Sequence, residues 1–185
     1  HDAFYDPPPL RKYMEKWDGE EFINSLRLSK DSNVLEIGVG TGRIALKVLQ
    51  QGCRYFTGID LSEKTICRAK ENLKDFNNCS FIAKDFLKTK FNFKFDVIYS
   101  SLTFFHIKDK AFAIKKIYNL LNIQGRFILS LSKNKDKSMK YNSHKVVLFP
   151  DNLIYTIKLL NKQGFIIEKI KEIGFADIIT AVKNK

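Results

Sequence analysis

Apolar residues along the chain follow strand spacing and helix spacing in turn. Short apolar runs typical of buried strands occur at Val34–Ile37, Tyr55–Asp60, Ser80–Ala83, Phe95–Tyr99 and Arg126–Leu131. Apolar residues at helical spacing occur between such runs, so strands and helices alternate five times. This alternation predicts right-handed crossovers and a parallel sheet covered by helices on both faces. The predicted fold class is α/β.

Two short amphipathic helices are predicted before the first strand. The first begins near Leu10 and includes Tyr13 and Trp17, and the second runs from about Glu20 to Leu28. We expect a single domain over residues 1–185, in which residues 1–30 form a helical lid and residues 31–185 form the core.

The end of the chain departs from the alternation. Two strands, Phe165–Ile173 and Phe175–Val182, follow each other across Gly174, so one of them must run antiparallel. The polar, lysine-rich stretch Lys133–Lys145 is predicted to be a loop, and the apolar run Val146–Phe149 after it is a candidate strand.

Composition and charge narrow the function classes. The 44% hydrophobic and 28% charged residues are typical of a soluble globular protein. Three cysteines without a CxxC pair favour neither a disulfide framework nor a zinc site, so we expect no metal and a reducing cytoplasm. The net charge of +12 comes from scattered lysines, which favours a solvated basic surface over an acidic partner.

The first strand runs into a turn with glycine at every second position: Gly38, Gly40 and Gly42. Such a turn brings backbone N–H groups and a helix N-terminus against a ligand. It is not the dinucleotide fingerprint, because Arg43 stands where the third glycine belongs, and it is not a P-loop, because no Gly-Lys-Ser/Thr follows.

Acidic residues follow the next two strands. Asp60 ends the second strand about 20 residues past the turn, where a carboxylate can accept hydrogen bonds from ribose hydroxyls. Asp85 follows the third strand and can accept from an adenine amino group, with Phe86 beside the ring or, alternatively, in the core. The sequence thus offers groups for a ribose and an adenine.

Five segments resemble the ordered motifs of class I S-adenosylmethionine-dependent methyltransferases: Glu36–Gly42, Gly58–Ser62, Lys84–Phe86, Phe95–Ser100 and Leu120–Phe127. The resemblance implies a three-layer, Rossmann-like, doubly wound sheet of seven strands in the order 3-2-1-4-5-7-6, with strand 7 antiparallel. The sequence differs from the family pattern at Asn122–Gly125, where Lys-Pro-Gly-Gly is usual.

The resemblance also implies S-adenosyl-L-methionine as the cofactor and S-adenosyl-L-homocysteine as the product. The contacts that it implies are Glu36 and Ser100 or Ser101 at the ammonium, Gly38, Val39, Gly40 and Gly42 at the methionine, Asp60 on the ribose, and Leu61, Asp85 and Phe86 at the adenine.

The sequence gives the least information about the methyl acceptor. His106 follows the fourth strand and is a candidate general base, with a packing or capping role as the alternative. Tyr13 and Trp17 either close over the cofactor or belong to the helix core. The segment after the fourth strand lacks the Asn/Asp-Pro-Pro-Tyr/Phe motif of enzymes that methylate nucleic-acid amino groups. We therefore expect a small-molecule acceptor and no membrane partner, with an RNA or protein methyltransferase using the basic surface as the alternative.

Overall fold

The computed structural model describes residues 5–16, 18–141 and 144–185. Its helices are α1 (Pro8–Glu15), α2 (Gly19–Ser25), α3 (Arg43–Gln51), α4 (Glu63–Asn72), α5 (Lys110–Leu120) and α6 (Leu153–Gln163). Its strands are β1 (Asn33–Ile37), β2 (Tyr55–Asp60), β3 (Cys79–Ala83), β4 (Phe95–Ser100), β5 (Leu121–Ser132), β6 (Ser138–Tyr141), β7 (His144–Val147), β8 (Phe165–Glu172) and β9 (Ala176–Lys183). A 3₁₀ turn spans Phe104–His106.

Seven strands form one sheet in the order β3-β2-β1-β4-β5-β9-β8. The first five strands are parallel, and β9 runs antiparallel to both β5 and β8. Since β8 and β9 are the sixth and seventh strands of this sheet, the order is the one that the family resemblance implied. The predicted fold class is confirmed.

Two hydrophobic clusters, one on each face of the sheet, give the domain its three layers. Successive residues of β1 point to opposite faces, so Val34 belongs to the cluster that α2, α3 and α4 cover, and Leu35 to the cluster that α5 and α6 cover. Phe22 of α2 and Leu26, the C-cap residue that follows the helix, are both fully buried, and each such side chain stabilises the fold by about 1.5–3 kcal/mol. The role of residues 1–30 as a lid stays a prediction, and Trp17 lies outside the described residues.

The prediction of an unbroken loop from Lys133 to Lys145 was wrong. The strands β6 and β7 pair antiparallel within and just beyond this stretch, and the second of them begins at His144, not at Val146. Hydrophobic periodicity did not reveal the hairpin, because its strands are four residues long and mostly polar and therefore show little of the alternation that is typical of a strand.

The irregular stretch Asn122–Gly125, near the start of β5, also has a physical explanation. Gln124 adopts a left-handed backbone (φ 64°), a conformation that glycine takes at the least cost. A side chain at Gly125 would meet the carbonyl oxygen of Asn122 at 2.7 Å. The sequence Asn-Ile-Gln-Gly therefore retains Gly125, where the close approach requires a glycine. Its difference from Lys-Pro-Gly-Gly places backbone strain at Gln124.

Candidate active site

A cavity of about 760 Å³ lies at the carboxyl ends of the parallel strands, where open α/β sheets bind their ligands. Gly42 and Ser100 do not line it. The predicted site residues that do line it are Glu36, Gly38, Val39, Gly40, Asp60, Leu61, Asp85, Phe86, Ser101 and His106.

The carboxylate of Asp60 fastens the glycine turn to the segment after β2. Its Oδ2 accepts the backbone N–H of Gly40 at 3.1 Å, and its Oδ1 accepts that of Ser62 at 3.0 Å. A carboxylate has about four acceptor positions, so Asp60 retains capacity for hydroxyl donors from the cavity.

The three glycines of the turn serve different purposes. A Cβ on Gly38 (φ 81°) would lie 2.0 Å from the Thr103 Oγ1, so the turn and the segment after β4 can approach this closely only at a glycine. Gly40 (φ 56°) has no described heavy atom within 4 Å of such a Cβ, so its backbone is open to the cavity. Gly42 begins α3, and its Cβ would meet Leu73 at 2.7 Å.

The far end of the cavity is formed by the segments that follow β2 and β3. The Asp85 Oδ1 accepts the backbone N–H of Leu87 at 2.8 Å, while the carboxylate remains 35% exposed. The ring of Phe86 is buried in the core beside Phe91 and also lines the cavity, so both interpretations of this residue fit its position. Leu61 is 73% exposed here.

Glu36 is a buried carboxyl at the head of the cavity. Burial raises its pKa well above the ordinary value, although the hydrogen bond that its Oε2 accepts from the Tyr99 hydroxyl (2.9 Å) and the charge of Arg43 act in the opposite direction. Because its charged form is poorly solvated, Glu36 binds a proton more readily than an exposed carboxyl does, and a further cation beside it would oppose this.

Asp18 and Arg43 form a buried ion pair that sequence reasoning missed. The Arg43 Nη1 donates to the Asp18 Oδ1 at 2.9 Å, and its Nη2 donates to the Oδ2. The same Oδ2 accepts the Ser101 hydroxyl at 3.0 Å. Burial alone would lower the pKa of Arg43, but Asp18 reverses this and raises it. The pair joins the start of α2, the start of α3 and the end of β4, and its sequence signal was Arg43 in the place of a fingerprint glycine.

His106 also lines the cavity, at the end of the 3₁₀ turn. Its ring lies beside that of Phe105, with 4.5 Å between the ring centroids. Partial burial lowers its pKa, against the opposing charges of Asp60 and Asp151, so the imidazole is mainly neutral near pH 7. A neutral imidazole can take a proton from an acceptor.

The walls around His106 are mostly apolar. The segments after β4 and β5 contribute Phe105, Ile107, Met139, Leu148 and Pro150 to the cavity. From the N-terminal side, α1 adds Tyr13 and Met14. We call this part the acceptor side, and the part formed by Glu36, the glycine turn, Asp60 and Asp85 the cofactor side.

Other features of the described residues limit the chemistry. No group of three or more His, Cys, Asp or Glu among them could hold a metal ion, and none of their helices is long and apolar enough to cross a bilayer. The three cysteines are free, and burial raises the pKa of Cys53 to about 11. Of the loop lysines, Lys133 pairs with Glu172, and Lys135 donates to the carbonyl oxygen of Asp151.

Comparison with known proteins decides the family. The model of the methyltransferase domain family matches residues 28–172. The chain belongs to this family. Among the curated relatives of this chain, malonyl-[acyl-carrier protein] O-methyltransferase 1 of Ilyobacter polytropus is 30% identical over 161 residues, which are 78% of this chain. The chain spans 60% of the length of that relative.

Solved structures show the same fold. A protein of Listeria monocytogenes described as an S-adenosylmethionine-dependent methyltransferase has a TM-score of 0.84 at 19% identity, covering 94% of this chain and 99% of its own. Magnesium protoporphyrin IX methyltransferase of Synechocystis, solved with bound S-adenosylmethionine, has a TM-score of 0.69 at 17% identity, covering 94% and 79%. The predicted membership of the class I S-adenosylmethionine-dependent family is confirmed, and with it the cofactor at the level of the family.

Proposed function

We propose that this chain binds S-adenosyl-L-methionine on the cofactor side of the cavity and transfers its methyl group to a small molecule on the acceptor side. The observation that carries the proposal is the meeting of Glu36, Asp60 and Asp85 around one open glycine turn in a single cavity. These groups suit a ligand with an ammonium, a ribose and an adenine.

The proposed contacts follow from the chemistry of the groups on the cofactor side. The backbone at Gly38, Val39 and Gly40 supports the methionine part, and Glu36 and the carbonyl oxygen of Ser101 face the ammonium. We further propose that Asp60 accepts from the ribose hydroxyls and that Asp85, Leu61 and Phe86 enclose the adenine. Gly42 acts through the packing of α3, and Ser100 acts by donating its hydroxyl to the carbonyl oxygen of Ile37 at 3.0 Å.

The reaction is an in-line displacement. Bound S-adenosylmethionine supplies an electrophilic methyl group on a sulfonium sulfur. The cavity walls orient the acceptor, a contribution of up to about 7–11 kcal/mol to the barrier. His106 takes the proton of the acceptor where that group is protonated at working pH.

A small acceptor, free or tethered to a carrier, fits the apolar walls around His106. The curated relative is named for malonyl-[acyl-carrier protein] and the structural neighbour for magnesium protoporphyrin IX. In the alternative, an RNA or protein acceptor would be bound through the basic surface, which has a net charge of +12. Affinity for RNA that falls steeply with salt would support that alternative.

Two measurements test the proposal. Isothermal titration calorimetry with S-adenosylmethionine and S-adenosylhomocysteine tests the cofactor side, and failure of both to bind would contradict it. Release of S-adenosylhomocysteine in the presence of a panel of carboxylic acids, phenols, amines and acyl thioesters, with RNA oligonucleotides as a parallel arm, identifies the acceptor class.

A further inference from the structure

Beneath the acceptor side lies a buried ion pair that the proposed chemistry does not use. The Lys110 Nζ is 2.8 Å from the Asp151 Oδ1, and the two side chains are 8% and 1% exposed. Lys110 is the first residue of α5, and Asp151 lies two residues before α6. Their separation by 41 positions means that the pair joins distant parts of the chain.

The pair joins the segment after β4 to the end of β5 through a chain of short hydrogen bonds. The Lys110 Nζ also donates to the carbonyl oxygen of Phe104 at 2.8 Å, within the 3₁₀ turn that ends at His106. The Asp151 Oδ2 accepts the backbone N–H of Ser132 at 3.1 Å. A direct backbone bond runs parallel to this chain, from the Phe149 N–H to the carbonyl oxygen of Phe105 at 2.8 Å.

The placement of Lys110 runs against local preference. A cation in the first turn of a helix is disfavoured by the helix dipole, and a buried ion pair is often no more stabilising than apolar residues of similar volume. Departures from local rules concentrate where a protein holds a functional arrangement. Here the two segments that the pair joins carry Phe105, His106, Ser132 and Leu148, all of which line the acceptor side.

We propose that Lys110 and Asp151 are positioning residues that hold the turn carrying His106 at a fixed distance from the end of β5, and so set the shape of the acceptor side. This inference rests on the proposed function only in assigning the acceptor to that side. Neither residue lines the cavity. They act through His106 and through the backbone on which it is carried.

The charges of the pair give the proposal a spectroscopic signature. Asp151 and Asp60 raise the pKa of His106, while Lys110 lowers it. Lys108 and Asp136 also line the cavity and are unchanged in the variants below. The chain has three histidines, His1, His106 and His144, so ring signals in an NMR titration can be assigned by substitution of each.

The experiment compares Asp151→Asn, Lys110→Gln and the double variant with Glu168→Gln, a matched control in the distant Arg126–Glu168 pair. The titration midpoint of His106, measured by NMR, is expected at lower pH in Asp151→Asn and at higher pH in Lys110→Gln. In the double variant it is expected to return close to the wild-type midpoint. Hydrogen exchange of the Phe149 amide is expected to rise at least about tenfold in both single variants, since the bond between the two segments opens more readily.

Affinity for S-adenosylmethionine is expected to stay within about twofold of wild type, because the cofactor side does not depend on the pair. The proposal is overturned if the His106 midpoint and Phe149 exchange change no more than in Glu168→Gln, or if exchange rises uniformly across the sheet, which would mark a general role in stability. Neither readout needs a bound ligand, so failure of wild-type protein to bind S-adenosylmethionine would contradict the proposed function and leave this test intact.

Discussion

The functional groups on the two sides of the cavity lie at different distances from the strands. On the cofactor side, Glu36 lies within β1, Asp60 ends β2 and Asp85 lies two residues after β3. On the acceptor side, Lys110 and Asp151 lie 10 and 19 residues after the ends of β4 and β5, and they meet across 41 positions. Groups that bind one constant ligand can be built into strand ends and short turns. Groups that choose an acceptor lie on longer connections, which can vary without disturbing the sheet.

The largest effect is expected from Gly38→Ala on the cofactor side. The new methyl group would overlap the Thr103 Oγ1 at 2.0 Å on a backbone with φ 81°. Left-handed strain and overpacking together cost about 2–5 kcal/mol. Affinity for S-adenosylmethionine should fall by about a hundredfold, because the turn that we propose to support the methionine must move. Thermal unfolding and calorimetry measure the two effects.

A matched control for Gly38→Ala separates strain from overlap. Gly52 also has a left-handed backbone (φ 97°), but no described heavy atom lies within 4 Å of its added Cβ, and it lies at the far end of α3. Gly52→Ala should lose about 1–2 kcal/mol of stability and keep cofactor affinity. Equal losses in the two variants would show that the contact with Thr103 is not what the turn requires.

The same difference in distance from the strands explains what the sequence could predict. The glycine turn, Asp60 and Asp85 are each recognisable within a few residues, because the strand that precedes them fixes the edge on which they lie. The parallel sheet followed from the alternation of strands and helices, and the strand order followed from the family resemblance. Lys110 and Asp151 carried no local signal, since each is an unremarkable charged residue near a helix start until the fold brings them together.

Two other misses have the same cause. Asp18 caps α2 through the backbone N–H of Gly19, a local role, and its contact with Arg43 spans 25 positions. The hairpin of β6 and β7 has strands too short and too polar for periodicity to reveal. Long-range contacts between loops are thus where sequence reasoning stops.

The next effect in size is expected from Asp60→Ala. The variant loses the proposed ribose contacts and also both bonds that hold the glycine turn to the segment after β2. Affinity for S-adenosylmethionine should fall at least about tenfold, or about 1.4 kcal/mol. Ser62→Ala is the control, since it removes the side-chain cap of α4 at Thr65, costs about 1 kcal/mol of stability and keeps the carboxylate. Unchanged affinity in Asp60→Ala would remove Asp60 from the ribose site.

A smaller effect is expected in the pH dependence of cofactor binding. Burial raises the pKa of Glu36, so the free protein binds a proton there more readily than at an exposed carboxyl, and an ammonium group beside it would displace that proton. Affinity should therefore rise with pH, by at most about tenfold per unit for one proton, and level off above the raised pKa. Glu36→Gln should abolish this rise. Calorimetry in buffers of different ionisation enthalpy measures the proton released.

The same shift has a consequence for stability, with a definite sign. The folded-state pKa of Glu36 lies above its ordinary value of 4.5, so the folded protein binds this proton more tightly than the unfolded chain. The stabilising contribution is complete below pH 4.5 and is lost as pH rises through the folded-state pKa. In thermal unfolding, wild type should lose more stability than Glu36→Gln over that interval, and parallel curves would count against a buried, protonated Glu36.

The smallest effect is expected on the acceptor side, in the hairpin. Lys140 lies directly opposite Lys145 in the register of β6 and β7, and like charges in this position repel. Lys140→Glu replaces the repulsion with attraction and should stabilise the hairpin by about 0.2–1 kcal/mol, seen as slower exchange of its amides. Lys137→Glu changes the net charge equally from a position just before β6, so it should leave the exchange nearly unchanged. Equal slowing in both variants would mean that general charge, and not the facing pair, governs this part of the acceptor side.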